Sequence, residues 1–468
     1  MNWKIKTGVS RTAVSGVQET RESLRRGESS AVDHVQSVLA AIAEHDPGLG
    51  AFVAVADDRV LAEAEAADRS IRELGPAAWT QRPLLGVTVS VKDLIQTQDL
   101  PTARGSLLAN RRAAVDAPAV ARLRAAGAIV IGKTTTSEYG WCGSSGSRVA
   151  PATRNPWNLD RSAGGSSGGA AVAVAAGLCS AALGTDGAGS IRIPASFCGV
   201  VGFKPSFGRV PYVPAGADRL AHLGPLTRSV RDARELTALM SGAHPDDPGS
   251  GFVAALGRQA PLRIGWIEFP GTSAEVRRVT ENAWPVLVAL GHRVERIEVP
   301  FPDPHAALID ILAAADAAGT APEDEQWCDQ RRLAAVHYGR TVSGMAVLRA
   351  EETRMALRIT MRSVMERFDI LAMPTVPLEP FDVDAIGPPW AADPADLLWI
   401  AWSSATYPFN MTGQPALSLP VGLTAAGLPV GLQLVGPFAG DDLVLSVAAA
   451  AEAMLGPLAV AVDRVVTG

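Results

Sequence analysis

The residues best able to do chemistry are concentrated between Gly164 and Pro205, where GGSSGG (164–169) and GAGS (187–190) each precede a segment that reads as a helix. A helix N-terminus has free N–H groups, and small residues around it leave room for an anion, so both loops suit an oxyanion. They also supply serine hydroxyls as candidate nucleophiles. A flexible linker is the plain alternative for GGSSGG, but a linker is flanked by polar chain, whereas an alanine-rich helix former and a strand follow here at once. A phosphate loop does not fit either, because neither the P-loop pattern nor a strand followed by the dinucleotide-binding glycines is present.

A serine needs a base. Gly164, Ser166 and Gly168 satisfy the nucleophile elbow of an α/β-hydrolase-type esterase, which would make Ser166 the nucleophile. That elbow requires a strand directly before the serine, and RNPWNLDRSA (154–163) reads as a loop. It also requires a late histidine, and the last one is His337. The remaining general base is a lysine, and Lys92 is the best candidate. It interrupts the apolar run VTVSV, where an unpaired ammonium is costly. Burial lowers a lysine from its ordinary pKa near 10.4 by as much as roughly 3–5 units, which makes a neutral amine available, and a hydroxyl between amine and nucleophile can pass the proton on.

These groups have to be positioned, and the chain reads as an alternation of strands and helices. LLGVTVSVKDLI (84–95) is a buried strand carrying Lys92. A helix follows from Asp116 as N-cap, with Pro118 in its first turn and Gly127 after its end, and AIVIG (128–132) is the next strand. An alanine-rich helix at about 169–177, a strand at about 180–184 and a short helix opening near Ser190 continue the pattern. The first 75 or so residues read as helices, with a capping box from Ser30 to Asp33, and clasp the core. AHPDDPGSG (243–251) is a loop that separates two halves. Beyond it LRIGWIE (262–268), FDILAMP (368–374), PALSLPVG (415–422) and LPVGLQLVG (428–436) read as strands.

The chain has 468 residues, 47% hydrophobic and 19% charged, enough to bury a large core. A net charge of -6 without any basic run argues against a nucleic-acid partner. Neither a signal-type N-terminus nor an apolar run long enough for a membrane span is visible, so a cytoplasmic address is expected. Cys142, Cys179, Cys198 and Cys328 show no metal-ligand spacing, so reduced thiols and no metal are expected.

Beyond these readings, the residues resemble the amidase signature family, which includes amidases, aryl acylamidases, urethane-cleaving amidases and the glutamine-hydrolysing subunit of tRNA amidotransferase. The resemblance spans nearly the whole chain through GVTVSVKD, RNPWN, GGSSGG, GTDGAGSIRIPASFCGVVGFKP, FDILAMPTVP and PALSLPVG with GLPVGLQLVG. It implies a Ser-cisSer-Lys triad of Ser190 as nucleophile, Ser166 as relay after a cis Gly165–Ser166 peptide, and Lys92 as base. It further implies an oxyanion hole from the backbone N–H groups of Gly187, Ala188, Gly189 and Ser190, with Ala188 standing where glycine is common. Ser206 stands where threonine is more common. Asp186 and Arg192 flank the nucleophile and are expected to shape its loop by hydrogen bonds.

The resemblance also implies an α/β fold with a large mixed β-sheet sandwiched between α-helices, in a single domain over 1–468. Its parts would be a helical segment 1–75, a signature core 76–240, and a second half 241–468 completing sheet and pocket. Gly140, Trp141, Cys142 and Gly143 match a segment lining the family's acyl pocket. A second aromatic group, Trp390, Trp399, Trp402 and Tyr407, lies in a Pro-rich connection where a variable lid could sit. With little charge near these tryptophans, the expected substrates are small apolar or aryl amides, with carbamates or esters alongside, cleaved without a cofactor by a monomer or homodimer. Two alternatives stand. One is the tRNA amidotransferase's glutamine-hydrolysing component, whose characteristic substrate-recognition stretch the segment 313–345 does not resemble; the other is a catalytically idle small-molecule binder.

Overall fold

The computed structural model describes residues 15–56, 59–108, 112–214, 219–251 and 261–458. Its strands are β1 (Phe52–Val55), β2 (Thr88–Lys92), β3 (Ile129–Thr134), β4 (Arg154–Asn155), β5 (Asn158–Ser162), β6 (Ala181–Asp186), β7 (Val201–Lys204), β8 (His222–Thr227), β9 (Arg263–Ile267), β10 (Arg293–Ile297), β11 (Ile370–Pro374), β12 (Ala416–Leu423) and β13 (Pro429–Val435). Among the described residues eleven of them form one sheet in the order β1-β3-β2-β6-β8-β7-β12-β13-β11-β9-β10, and β4 and β5 form a separate hairpin. The sheet is mixed: β2 runs parallel to β3 and β6, and β9 parallel to β10 and β11, while the remaining neighbours are antiparallel.

The first helices are α1 (Val17–Arg26), α2 (Ala31–Leu49), α3 (Arg59–Leu74), α4 (Pro76–Gln81), α5 (Pro118–Ala125), α6 (Gly168–Ala175) and α7 (Arg192–Cys198). Successive strand residues point to opposite faces, and both faces are covered. Ile129 and Ile131 pack with Ala171 and Val172 of α6, while Val130 between them packs with Val120 and Leu123 of α5. In the second half Leu371 and Met373 join Leu357 and Met361 of the helix Gly344–Arg367, and Ile370 and Ala372 join Val444 and Ala448 of the helix Asp441–Leu455. Helices on both faces of a mixed sheet are the expected architecture.

The Ser30–Asp33 capping box is present at the start of α2. Three local expectations are overturned. The helical segment expected over 1–75 contains the strand β1, which pairs antiparallel with β3. RNPWNLDRSA is not a loop but contains the β4–β5 hairpin, turned at Pro156-Trp157 and held by the Asn155 side chain, whose Nδ2 donates to Phe197 O (2.8 Å). Asp116 does not cap α5: Ala117 is the N-cap, and the Asp116 carboxylate instead accepts from Gln98 N (2.8 Å) and pairs with Arg124 (3.1 Å). All four cysteines are buried and free. Among the described residues no helix is long and apolar enough to cross a membrane, and no cluster of His, Cys, Asp and Glu could hold a metal ion.

Candidate active site

Lys92 is the last residue of β2, the strand between β3 and β6, and is fully buried. Because β2 and β6 are parallel and pair Val91 with Leu183, the lysine side chain emerges beside the C-terminal end of β6. Its Nζ donates to Ser166 Oγ (2.7 Å), Thr185 Oγ1 (2.9 Å) and Thr185 O (3.4 Å). Burial lowers its pKa from 10.5 to about 7, against the opposing pull of Asp186 and Cys142.

Ser166 follows a cis Gly165–Ser166 peptide bond and is buried. The adjoining Ser167 ties this loop to the next one, with its N–H donating to Ser190 O (3.1 Å) and its Oγ to Thr185 O (3.0 Å). Ser190 has 8% of its surface exposed, against 1% for Ser166, so it is the more accessible of the two residues. No histidine is hydrogen-bonded to either serine among the described residues. The strand β5 ends four residues before Ser166 and belongs to the outlying hairpin, an arrangement that does not make a nucleophile elbow.

The Asp186 carboxylate organises the loop that carries Ser190. It accepts from the backbone N–H of Gly189 (2.7 Å) and Ile191 (3.1 Å), from Arg192 Nε and Nη2 (both 2.9 Å), and from Asn410 Nδ2 (2.9 Å). Burial alone would raise this carboxyl, but Arg192, Lys204 and Asn410 outweigh it and hold it below the usual carboxylate range. Arg192 is in turn fixed by Thr406 O (2.9 Å) and Gln433 Oε1 (2.8 Å). Asp186 and Arg192 thus act as the loop's internal frame, as expected.

One member of the expected oxyanion set is corrected. The Gly189 N–H is already given to Asp186, so it is not free for an oxyanion. Among the described residues the N–H groups of Gly187, Ala188 and Ser190 have no acceptor. Gly189 is required for another reason: its φ is +130°, and a Cβ there would collide with Thr406 Oγ1. Thr406 Oγ1 donates to Ala188 O (2.7 Å). Ala188 itself has no positive φ, so alanine in place of glycine is accommodated.

The segment 140–143 lies against Ser166 and the aromatic residues of the late connection. A Cβ on Gly140 would stand 2.9 Å from Ser166 Oγ, and one on Gly143 would stand 2.5 Å from Trp402 Cζ2, so both glycines mark close approaches. Trp141 meets Trp399 edge-on with ring centroids 5.4 Å apart, and neither indole N–H has a partner among the described residues. Trp402 stacks on Phe197, and its Nε1 donates to Trp399 O (2.9 Å). Cys142 is buried with Sγ 3.3 Å from Ser144 Oγ. Tyr407 is buried and donates to Asp303 (2.7 Å), whereas Trp390 is 57% exposed and stands apart from this group. Ser206 accepts from Ala439 N (3.0 Å), and its own N–H donates to Asp441 Oδ1 (2.9 Å).

Sequence reasoning missed Thr185, Ser167, Thr406 and Asn410. Thr185 had a readable signal, a hydroxyl at the end of the strand leading into the Ser190 loop. Asn410 had none, because its contacts with Asp186 cross more than 200 residues of chain.

The family model described as Amidase matches residues 33–445. A glutamyl-tRNA(Gln) amidotransferase subunit from Thermus thermophilus is 37% identical over 471 residues, covering 93% of this chain and 96% of that one. A bacterial aryl acylamidase of the amidase signature enzymes superposes with a TM-score of 0.86 at 28% identity, over 98% of this chain and 100% of that one. A 6-aminohexanoate cyclic dimer hydrolase in complex with its substrate superposes with a TM-score of 0.82 at 30% identity, over 95% and 97%. A match over most of the chain, carried by both sequence and fold, makes this protein a member of the amidase signature family, a hydrolase of carbon–nitrogen bonds other than peptide bonds.

Proposed function

We propose that the chain hydrolyses small amides through an acyl-enzyme on Ser190, with Ser166 as proton relay and Lys92 as base. The contact between Lys92 Nζ and Ser166 Oγ (2.7 Å), buried and with the amine brought to a pKa of about 7, carries this reading. The neutral amine takes the Ser166 proton, Ser166 takes that of Ser190, and the Ser190 oxygen bonds to the acyl carbon as the carbonyl becomes an oxyanion. The N–H groups of Gly187, Ala188 and Ser190 are the proposed donors to that oxyanion. The tetrahedral centre collapses, the C–N bond breaks, and the proton returns through Ser166 to the departing amine. Water then repeats the sequence on the ester and releases the acid. A serine-directed fluorophosphonate should attach to Ser190, and Ser190→Ala should abolish turnover with the fold intact; peptide mapping that finds the label on Ser166 would overturn the assignment.

The buried Trp141, Trp399 and Trp402, gathered at the segment 140–143 whose Gly140 approaches Ser166, favour apolar or aryl acyl groups, with carbamates and esters as further substrates. The superposition on an aryl acylamidase supports the same class. A second reading, glutamine hydrolysis as the ammonia-producing component of a tRNA amidotransferase, is favoured by the Thermus thermophilus relative. It predicts ammonia release from glutamine. A panel of glutamine, anilides, carbamates and esters separates the two.

A further inference from the structure

The helix Gly344–Arg367 carries apolar side chains on two opposite faces. At about 3.6 residues per turn, Ala350, Leu357, Met361 and Val364 fall on one side, where they pack into the core. Met345, Leu348, Met355 and Ile359 fall on the other side, and each is between 54% and 65% exposed. A single exposed methionine needs no explanation, but four large apolar residues in line make a stripe, interrupted only by Glu352. Their spacing is that of the seam positions of a helix pair, with Glu352 at the seam position between Leu348 and Met355. Exposed apolar surface also continues sideways, since Met355 shares a groove of about 450 Å³ with Phe207 and the exposed Phe438.

The charges beside the stripe are ordered along the helix. Glu351 and Glu352 precede Met355, and Arg358 and Arg362 follow it, while Arg349 stands on the other flank. Glu351 and Arg358 both line the groove. Arg354 on the same side is engaged within the chain, by Glu351 Oε1 (3.3 Å), Met411 O (3.0 Å) and Arg219 O (3.0 Å), which leaves Glu351 Oε2 available. Glu352, Arg358 and Arg362 have no ion-pair partner among the described residues. An acidic half followed by a basic half is complementary to itself once the helix direction is reversed.

We propose that this face is the contact between two copies of the chain, whose Gly344–Arg367 helices lie antiparallel about a twofold axis. In a twofold contact each pairing occurs twice. Reversing the helix about the point between Thr353 and Arg354 sets Leu348 against Ile359 of the partner subunit and Met355 against Glu352 of the partner subunit. On the groove side it sets Glu351 against Arg358 of the partner subunit. A parallel pair is disfavoured, because it would bring two Glu352 carboxylates together inside the apolar seam. A membrane is the wrong occupant for a related reason: faces that lie on lipid are rich in Lys and Arg, whereas this stripe has Glu352 within it and Glu351 beside it. The stripe and Phe438 supply an apolar centre, and the ion pairs form its rim. A seam of this length belongs to the small end of specific interfaces, so the expected dissociation constant is micromolar.

In sedimentation velocity the full chain should pass from the mass of one copy to that of two between about 1 and 100 µM. Leu348→Asp and Ile359→Asp should each hold it at one copy throughout, with the melting temperature and fluorophosphonate labelling unchanged, because both side chains are exposed and outside the proposed machinery. Glu351→Arg or Arg358→Glu alone should weaken association by about tenfold, and the two together should restore it. Orientation is read by cross-linking, for which the four buried native cysteines are silent. A mixture of Leu348→Cys and Ile359→Cys should form a disulfide between copies on oxidation. Leu348→Cys alone should not, because its two copies stand about 16 Å apart along an antiparallel pair, beyond the reach of a disulfide. A single-copy mass for the wild type at the highest concentration overturns the proposal. So does a dimer that Leu348→Asp and Ile359→Asp leave intact, or one that Leu348→Cys cross-links to itself. Wild-type binding to phosphatidylcholine vesicles without self-association, lost in Leu348→Asp, would give the face to a membrane and overturn it equally.

Discussion

At Lys92 the loss of solvent acts against the ammonium and the Asp186 carboxylate acts for it, and the balance lies at about 7. Only the neutral amine can accept a proton, so kcat/KM should rise about tenfold per pH unit below 7 and level off above it. The limb belongs to the free enzyme and should be the same for an amide and an ester. Lys92→Ala should lower kcat/KM by about 100- to 10,000-fold and remove the limb, and Lys92→Arg should do the same, because a guanidinium keeps its charge. An intact limb in Lys92→Ala would show that another group sets it. The relay serine is constrained in a different way. Gly140 must be glycine because any side chain there would press on Ser166 Oγ, so the segment 140–143 touches the proposed machinery before it touches a substrate.

At the scale of elements, the loop between β6 and α7 is held by one buried ion pair that also reaches Asn410 and Gln433. Removing one partner of such a pair leaves an uncompensated charge, which typically costs about 3–5 kcal/mol. Arg192→Met should therefore lower stability by an amount of that order, read as a drop in the denaturant midpoint with little change in slope, and should release the Gly189 N–H along with the loop. A variant of wild-type stability would show that Asp186 is held by its other donors. The strands β2, β3 and β6 were legible because they are short apolar runs between turn residues, and Lys92 was legible because it interrupts one of them. β8 was not, since Gly224 and Pro225 lie inside it and proline is rare in a central strand. β10 was not, because Arg293, Glu295 and Arg296 belong to an edge strand whose side chains face solvent. The β4–β5 hairpin was hidden by Pro156, which reads as a loop and in fact sits in the turn. In the site, the groups contributed by neighbouring segments could be read from spacing, whereas Thr406 and Asn410 reach the Ser190 loop only through the order of strands in the sheet.

Across the whole molecule, the sheet joins its two halves through the β7–β12 pair, and the late segment 399–411 folds back over the loop that carries Ser190. Trp141 from the first half and Trp399 from the second meet edge-on at that junction, both buried and both with an unpartnered indole N–H among the described residues. The proposed pocket wall, made by two halves of the chain, can change shape without disturbing Lys92, Ser166 or Ser190, because neither tryptophan bonds to them. Trp141→Ala and Trp399→Ala should then redistribute kcat/KM among anilide, carbamate and ester substrates by about 1–3 kcal/mol per contact of methylene scale, with large aryl groups gaining where an indole is removed. Fluorophosphonate labelling of Ser190 should persist in both variants. Because the two rings touch, their effects should not add, and the double variant should fall short of the sum by about 0.5–1.5 kcal/mol, the usual worth of an aromatic pair. The informative measurement is kcat/KM for each single and double variant across one matched series. Uniform loss over that series would place both tryptophans in the core alone, and strict additivity would mean that they act on separate parts of the substrate.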